Sequence, residues 1–244
     1  MPMIQEAMSN PVNHAPRNPG RPTHRTGEFF RKLTPEALED LASMESPLMY
    51  SAGSILFREQ QTPPGVFVIL SGEVKLSINS SDGKRLILRI ARPGEILGLT
   101  STLSGSACEM TAEALYPAKI APIARRDFLN FLARHPEVYQ TVIEELSLQL
   151  NMACEQLRTV GLSSSAPEKL ARLLLDWSEN GQTTESGTRF HFSLTHEEIG
   201  EFIGASRETV TRTLSTFKLR RLVAWNGSMI TIPNRRALES YARC

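Results

Sequence analysis

SLTHEEIGEFIGASRETVTRTLSTFKLRRLVAWNGSMITI, the stretch from Ser193 to Ile232, decides how the last third of the chain folds. Thr195 and Glu198 have the spacing of a capping box, in which the hydroxyl takes an amide of the first helical turn and the carboxylate takes the cap's own amide. Gly204 permits a sharp turn, and Ser206 supplies a cap for a second helix running to about Leu219. Ile199, Phe202, Ile203, Val210, Leu214 and Phe217 fall where two such helices would pack together. Arg207, Glu208, Thr211 and Arg212 are left on the outer face. Val223 to Trp225 and Met229 to Ile232, joined through Asn226-Gly227, make a hairpin, because Asn-Gly suits the tight turn that matches strand twist. The pattern predicts a winged helix-turn-helix.

The outer face has a specific chemistry. Arginine offers a two-pronged fork to guanine O6 and N7, and a carboxylate can accept from cytosine N4, so Arg207, Glu208 and Arg212 are suited to reading bases in a major groove. Thr211, Ser206, Thr195 and Lys218 complete the candidate DNA-binding set. The net charge of +1 hides a local patch, since Arg207 to Arg221 holds five basic side chains against the single acid Glu208. A polyanion would feel that density. A helix-turn-helix used only for protein contacts would expose an apolar face instead. His196, on the first helix, is either a phosphate contact or a solvated helix residue.

Moving toward the N-terminus, residues 126 to 160 are helical in composition and broken once, at Pro136. Beyond it Tyr139, Ile143, Leu146, Leu150, Ala153, Leu157 and Val160 recur in a 4,3,4,3 rhythm, the seam of a coiled coil. The seam predicts a parallel homodimer; the alternative is an amphipathic helix packed on its own domain. Gly161 and Ser163 to Ser165 read as a hinge, and Pro167 restarts a helix through Leu170, Leu173, Leu174 and Trp177.

From about Leu48 to Ile123 short apolar runs alternate with glycine and proline, the spacing of an all-β unit. Val74, Leu76 and Ile78 alternate with Lys75, Ser77 and Asn79, and after Asp82-Gly83 Leu86, Leu88 and Ile90 alternate with Ile87 and Arg89, which predicts a half-buried hairpin inside a jelly roll. Thr34-Pro35 opens a short helix. Residues 1 to 27 are rich in Pro, Asn, Arg and His and read as a disordered tail. The expected organisation is therefore α+β: tail 1–27, β-roll sensory domain 28–124, dimerisation helix region 125–162, and winged helix-turn-helix 163–244.

Several functions are excluded by what is missing from the sequence. No apolar run approaches the ~20 residues that span a bilayer, so no membrane partner is expected. The N-terminus lacks a secretory pattern, and Cys108, Cys154 and Cys244 are far apart, which points to the reducing cytoplasm. All five histidines lie outside the β-region, so no metal site and no cupin-type enzyme is expected.

The segments IGEFIGASRETVTR, FVILSGEV with its DG hairpin, and PGEILG, together with the intervening long helix, resemble the Crp/Fnr superfamily of bacterial transcription regulators over roughly residues 30 to 240. The resemblance implies a cyclic-nucleotide-binding-like β-roll and a dimer bound to double-stranded DNA. It makes Arg207, Glu208 and Arg212 base readers of a TGTGA-like half-site, with RNA polymerase as a further partner. Its nucleotide pocket would involve Gly94, Glu95, Gly98, Leu99, Cys108 and Glu109. Here Leu99 stands where the family's ribose glutamate is expected, and Cys108-Glu109 where its phosphate-binding Arg-Ser pair is expected. A cyclic nucleotide is therefore not expected as cofactor, and the effector is left open. The family's N-terminal iron-sulfur cysteines are missing from this sequence as well. Thiol sensing through Cys108 or Cys154 is an alternative to their reading as apolar filler.

Overall fold

The computed structural model describes residues 27–162, 165–179, 181–192 and 194–242. Residues 1–26 of the expected tail, Ser163, Ser164 and Cys244 lie outside them. The described chain begins with α1 (Glu28–Arg31) and α2 (Pro35–Ser43). The Thr34 hydroxyl accepts from the Ala37 amide at 3.2 Å, which starts α2 where the Thr-Pro pair indicates.

Two four-stranded antiparallel sheets then make the β-roll. The first sheet has the order β1-β8-β3-β6, from Leu48–Tyr50, Ala118–Ala124, Gly65–Ser71 and Ile96–Leu97. The second has the order β2-β7-β4-β5, from Ile55–Phe57, Thr111–Ala114, Val74–Asn79 and Arg85–Ala91. A short helix, α3 (Leu99–Ser104), follows β6. Phe57, Phe67, Ile69, Val74, Leu76 and Ile120 fill the space between the sheets. The other side of β3 is covered by Phe128, Phe131 and Leu132 of α4 (Arg125–Arg134).

The hairpin of β4 and β5 departs from the expected alternation. Lys75 and Ser77 are buried along with Val74 and Leu76, and on β5 the fully buried residues are Ile87 and Ala91, with Leu86 and Leu88 only partly covered. There are two causes. The pairing register shifts between Leu76 and Ser77, so the two strands do not keep one phase. The outer face is also covered, by a helix of the C-terminal unit, so alternation toward water has no basis there.

After Pro136 the chain enters α5 (Val138–Leu162), whose Val138, Thr141 and Val142 bury against the roll. Ser165 caps α6 (Ala166–Ser178) through the Glu168 amide at 3.3 Å. The helix-turn-helix is α7 (His196–Ile203) and α8 (Arg207–Leu219). The wing is larger than the sequence indicates. Besides β11 (Ala224–Asn226) and β12 (Met229–Ile232), strands β9 (Gln182–Thr184) and β10 (Gly187–His191) extend the sheet to four in the order β11-β12-β10-β9. A last helix, α9 (Arg235–Ala242), packs on α6.

The C-terminal unit is held to the roll by polar contacts that sit on a small apolar patch. Ile90 and Leu115 of the roll pack against the helix-turn-helix core. Beside them Lys75, only 4% exposed, places its ammonium 3.0 Å from Glu198 of α7 and 3.3 Å from Glu113 of β7. Gln156 of α5, also buried, donates to the carbonyls of Ile87 (3.0 Å) and Phe202 (2.7 Å). Removing one member of a buried ion pair costs more than the pair itself contributes, because the other charge is stranded. Lys75→Met would strand Glu198 without its cation and leave Glu113 only its contact with the more exposed Arg85 at 3.3 Å. It is expected to lower unfolding stability by about 3 kcal/mol in urea titrations, whereas a change under 0.5 kcal/mol would show the junction to be slack.

Candidate nucleic-acid interface and effector cavity

The helix-turn-helix is built from both ends inward. Thr195 accepts the Glu198 amide at 3.2 Å while Glu198 accepts the Thr195 amide at 3.0 Å, so the reciprocal capping box is present. Gly204 ends α7 with φ +65°, a left-handed conformation that side chains disfavour. Gly200 is needed for a different reason. A Cβ there would come 2.6 Å from the Ala205 carbonyl, where the turn crosses over α7. Ser206 then accepts the Thr209 amide at 3.2 Å and opens α8. Ile199, Ile203, Val210, Leu214 and Phe217 are all buried between the helices, and Phe202 is half-buried at their edge.

That packing leaves Arg207, Glu208, Thr211, Arg212 and Lys218 exposed on α8, with Ser206 and Thr195 exposed at the two helix starts. Glu208 lies in the first turn, where its own backbone amide, then the Ser206 hydroxyl, hold its carboxyl below the ordinary carboxylate range. It is therefore an ionised acceptor at neutral pH. Thr211 donates its single hydroxyl proton to the Arg207 carbonyl at 2.9 Å. The contact of 2.9 Å between Thr211 and His196 Nδ1 must then be donated by the histidine. His196 is thus a half-buried bridge between α7 and α8, with Nε2 as its remaining polar atom.

On α5 the seven seam positions divide. Tyr139, Ile143, Leu150 and Leu157 are exposed, the last three by more than 60% (62%, 64% and 62%). Leu146 turns onto the roll core, Ala153 lines a cavity, and Val160 faces the turn, 3.1 Å from where a Cβ on Gly204 would stand. The exposed line is continued instead by Ser147 and Cys154. The reason is that α5 lies on its own roll and junction, which draws the inner edge of the stripe inward.

The cavity lies between β4, β5, α3 and α5 and is open on one side; its volume is ≈ 50 Å³. Gly98, Leu99 and Glu109 of the expected effector residues line it, while Gly94, Glu95 and Cys108 stand behind. Glu95 faces away because it accepts the Arg92 amide at 2.8 Å and pairs with Arg89. Cys108 is 1% exposed, and burial pushes its thiol up, away from the reactive thiolate. Cys154 is exposed. No group of three or more His, Cys, Asp or Glu residues able to hold a metal occurs among the described residues.

Residues 168–241 match the Crp-like helix-turn-helix domain family, and residues 47–135 match the Cyclic nucleotide-binding domain family. The chain belongs to the Crp/Fnr superfamily. Among its relatives in the superfamily is the CRP-like cAMP-activated global transcriptional regulator of Mycobacterium tuberculosis, 26% identical over 88% of this chain and 96% of that one. Another is the nitrogen fixation regulation protein FixK of Bradyrhizobium diazoefficiens, 25% identical over 89% of this chain and 91% of that one. The structure of FixK2 from Bradyrhizobium japonicum shares the fold, with a TM-score of 0.71 at 22% identity over 81% of this chain and 96% of that one. Crp/Fnr proteins are DNA-binding transcription regulators, and this chain carries that family's helix-turn-helix. Among the described residues no helix is long and apolar enough to cross a membrane.

Three kinds of residue in this Crp/Fnr chain escaped the sequence reading. Lys75 and Gln156 join units far apart in sequence, Gly200 acts through a backbone approach, and Arg89, Met110 and Met152 line the cavity from unrelated segments. Only the Gly200 in the Ile-Gly pair of α7 leaves a local trace, a glycine inside a helix. Glu201 adds a testable cost at the junction. One carboxylate oxygen has no hydrogen-bond partner, and burial pushes its pKa up; Arg85 and then Lys75 pull the other way without cancelling this, and Glu197 and Glu198 add a smaller push. A raised carboxyl stabilises the fold below its unfolded pKa of about 4.3 and loses that contribution as pH rises through the folded value. Glu201→Gln is expected to melt above wild type at pH 7, with the gain shrinking toward pH 4; equal melting temperatures at pH 7 would show the carboxylate to be well solvated.

Proposed function

We propose that the protein is a sequence-specific transcription regulator that acts in the cytoplasm as a homodimer on a near-palindromic, TGTGA-like site. The observation that carries this reading is the face of α8, where Arg207, Glu208 and Arg212 project from a rigid two-helix core with no ion pair of their own among the described residues beyond Glu208's local contacts. Supporting it is the exposed line Tyr139, Ile143, Leu150 and Leu157, an apolar ridge of the kind that marks an interaction surface. A second copy fits it, because the line repeats at heptad spacing and meets itself across a two-fold axis. Each subunit would then place one α8 in a major groove, with half-sites about one helical turn, ~34 Å, apart. RNA polymerase is the expected partner on the promoter. The β-roll would act by biasing the spacing of the two recognition helices, since only one spacing matches both half-sites.

A second reading is favoured by one observation, the exposure of Cys154 between Leu150 and Leu157. In it the thiol's oxidation state sets dimer geometry. The readings separate on Cys154→Ser, whose DNA affinity should be as insensitive to oxidant as wild type under the first and uniquely insensitive under the second.

Arg207→Ala and Arg212→Ala are each expected to lose roughly 1–3 kcal/mol of discrimination at one base pair, read as the ratio of affinities for matched and substituted half-sites. Full selectivity in either variant would remove that residue from the readout. Leu150→Asp buries a charge at the proposed seam and is expected to elute as a monomer in size-exclusion with light scattering. A dimeric mass for that variant would place the interface elsewhere.

A further inference from the structure

We propose that the cavity between the β-roll and α5 takes an uncharged, predominantly apolar small molecule as the regulator's effector. The proposal rests on the reading of the chain as a regulator only for the word effector; the binding itself depends on the cavity alone. Its walls are Phe57, Leu76, Leu88 and Leu97 from the roll, with Met110 and Met152 facing from the loop and the long helix. Such walls reward removal of apolar surface from water and offer an ionic ligand nothing in return.

Charge excludes the other ligand class. Arg89 is the one cation among the residues lining the cavity, and it is already paired with Glu95, its side chain only 13% exposed. An entering phosphate or carboxylate would have to displace that partner, leaving the partly covered Glu95 without its cation, or share the arginine and sit beside a second negative charge. The other ionisable group on the wall is Glu109, an exposed carboxylate of the same sign as any anion at the mouth. Repulsion there is unscreened by a second basic residue of the lining. Leu99, 1% exposed, adds hydrocarbon to the wall beside Gly98.

The same walls suit an uncharged guest. Methionine is unbranched and polarizable, so Met110 and Met152 can adjust to an irregular apolar shape without a fixed hydrogen-bond geometry. Met152 stands one helical turn before Gln156, the residue that ties α5 to β5 and α7. An occupant pressing on Met152 would therefore push directly on the part of α5 that positions the helix-turn-helix.

The test is a fluorescence titration of the full chain with N-phenyl-1-naphthylamine, a neutral aromatic probe, with cyclic AMP as competitor. Saturable binding of one probe per chain, undisturbed by millimolar cyclic AMP, is expected. Met110→Trp and Met152→Trp fill the cavity from opposite walls, and each is expected to weaken the probe at least tenfold. Thermal melts identify which of the two keeps the wild-type fold, and that variant is the one scored. No saturable binding to wild type, displacement by cyclic AMP, or undiminished binding to the folded filled variant would each overturn the proposal. Half-site binding measured on the same wild-type sample reports separately on the DNA reading, so failure of one is distinguishable from failure of the other.

Discussion

Gln156 donates both of its amide hydrogens to carbonyls of different units, Ile87 in the roll and Phe202 near the end of α7, and the rest of the structure depends on that bond pair. Neither carbonyl is an arbitrary acceptor. Phe202 lies in the last turn of a helix, where carbonyls lack intrahelical partners. Ile87, paired with Ser77, lies beside the point where the β4–β5 ladder changes register. A single buried side chain therefore bonds an acceptor in each of two units, and in doing so fixes three units together. Leaving either unsatisfied in a buried setting would cost about 1–3 kcal/mol.

The ion cluster of Lys75, Glu113 and Glu198 reinforces the same joint with a different kind of constraint. Glu198 has two duties there, since it closes the capping box of α7 and takes the ammonium of a roll strand. Burial works against its charge, but the Thr195 amide and Lys75 outweigh that and hold the carboxyl below its usual range. The first turn of the helix-turn-helix is thus electrostatically joined to the sensory sheet. The roll and the helix-turn-helix are joined through contacts about 3 Å long. The cavity opens onto the same helix one turn away, at Met152 and Ala153.

How much of this could be read from the sequence follows from how local each signal is. The capping box, the turn glycine and the α8 cap are contained within a dozen residues, so helix-turn-helix, exposed face and buried face were all legible. The break at Pro136 and the long apolar rhythm were legible for the same reason. The division of that rhythm into an outer line and an inner line was not, because Leu146, Ala153 and Val160 are drawn inward by the roll, the cavity and Gly204, partners distant in sequence. Strands β9 and β10 carry too few apolar residues to show alternation; of their residues only Phe190 is buried. Lys75 reads as a solvent-facing residue of an alternating strand, and only the docked α7 makes it internal.

Selection of bound duplexes from a random DNA pool by the full-length wild-type chain addresses most directly whether two recognition helices act together. Enrichment of a two-fold symmetric motif, with half-sites centred about one helical turn apart, is the predicted result. Enrichment of a single unrepeated half-site, or no enrichment over the starting pool, would contradict it.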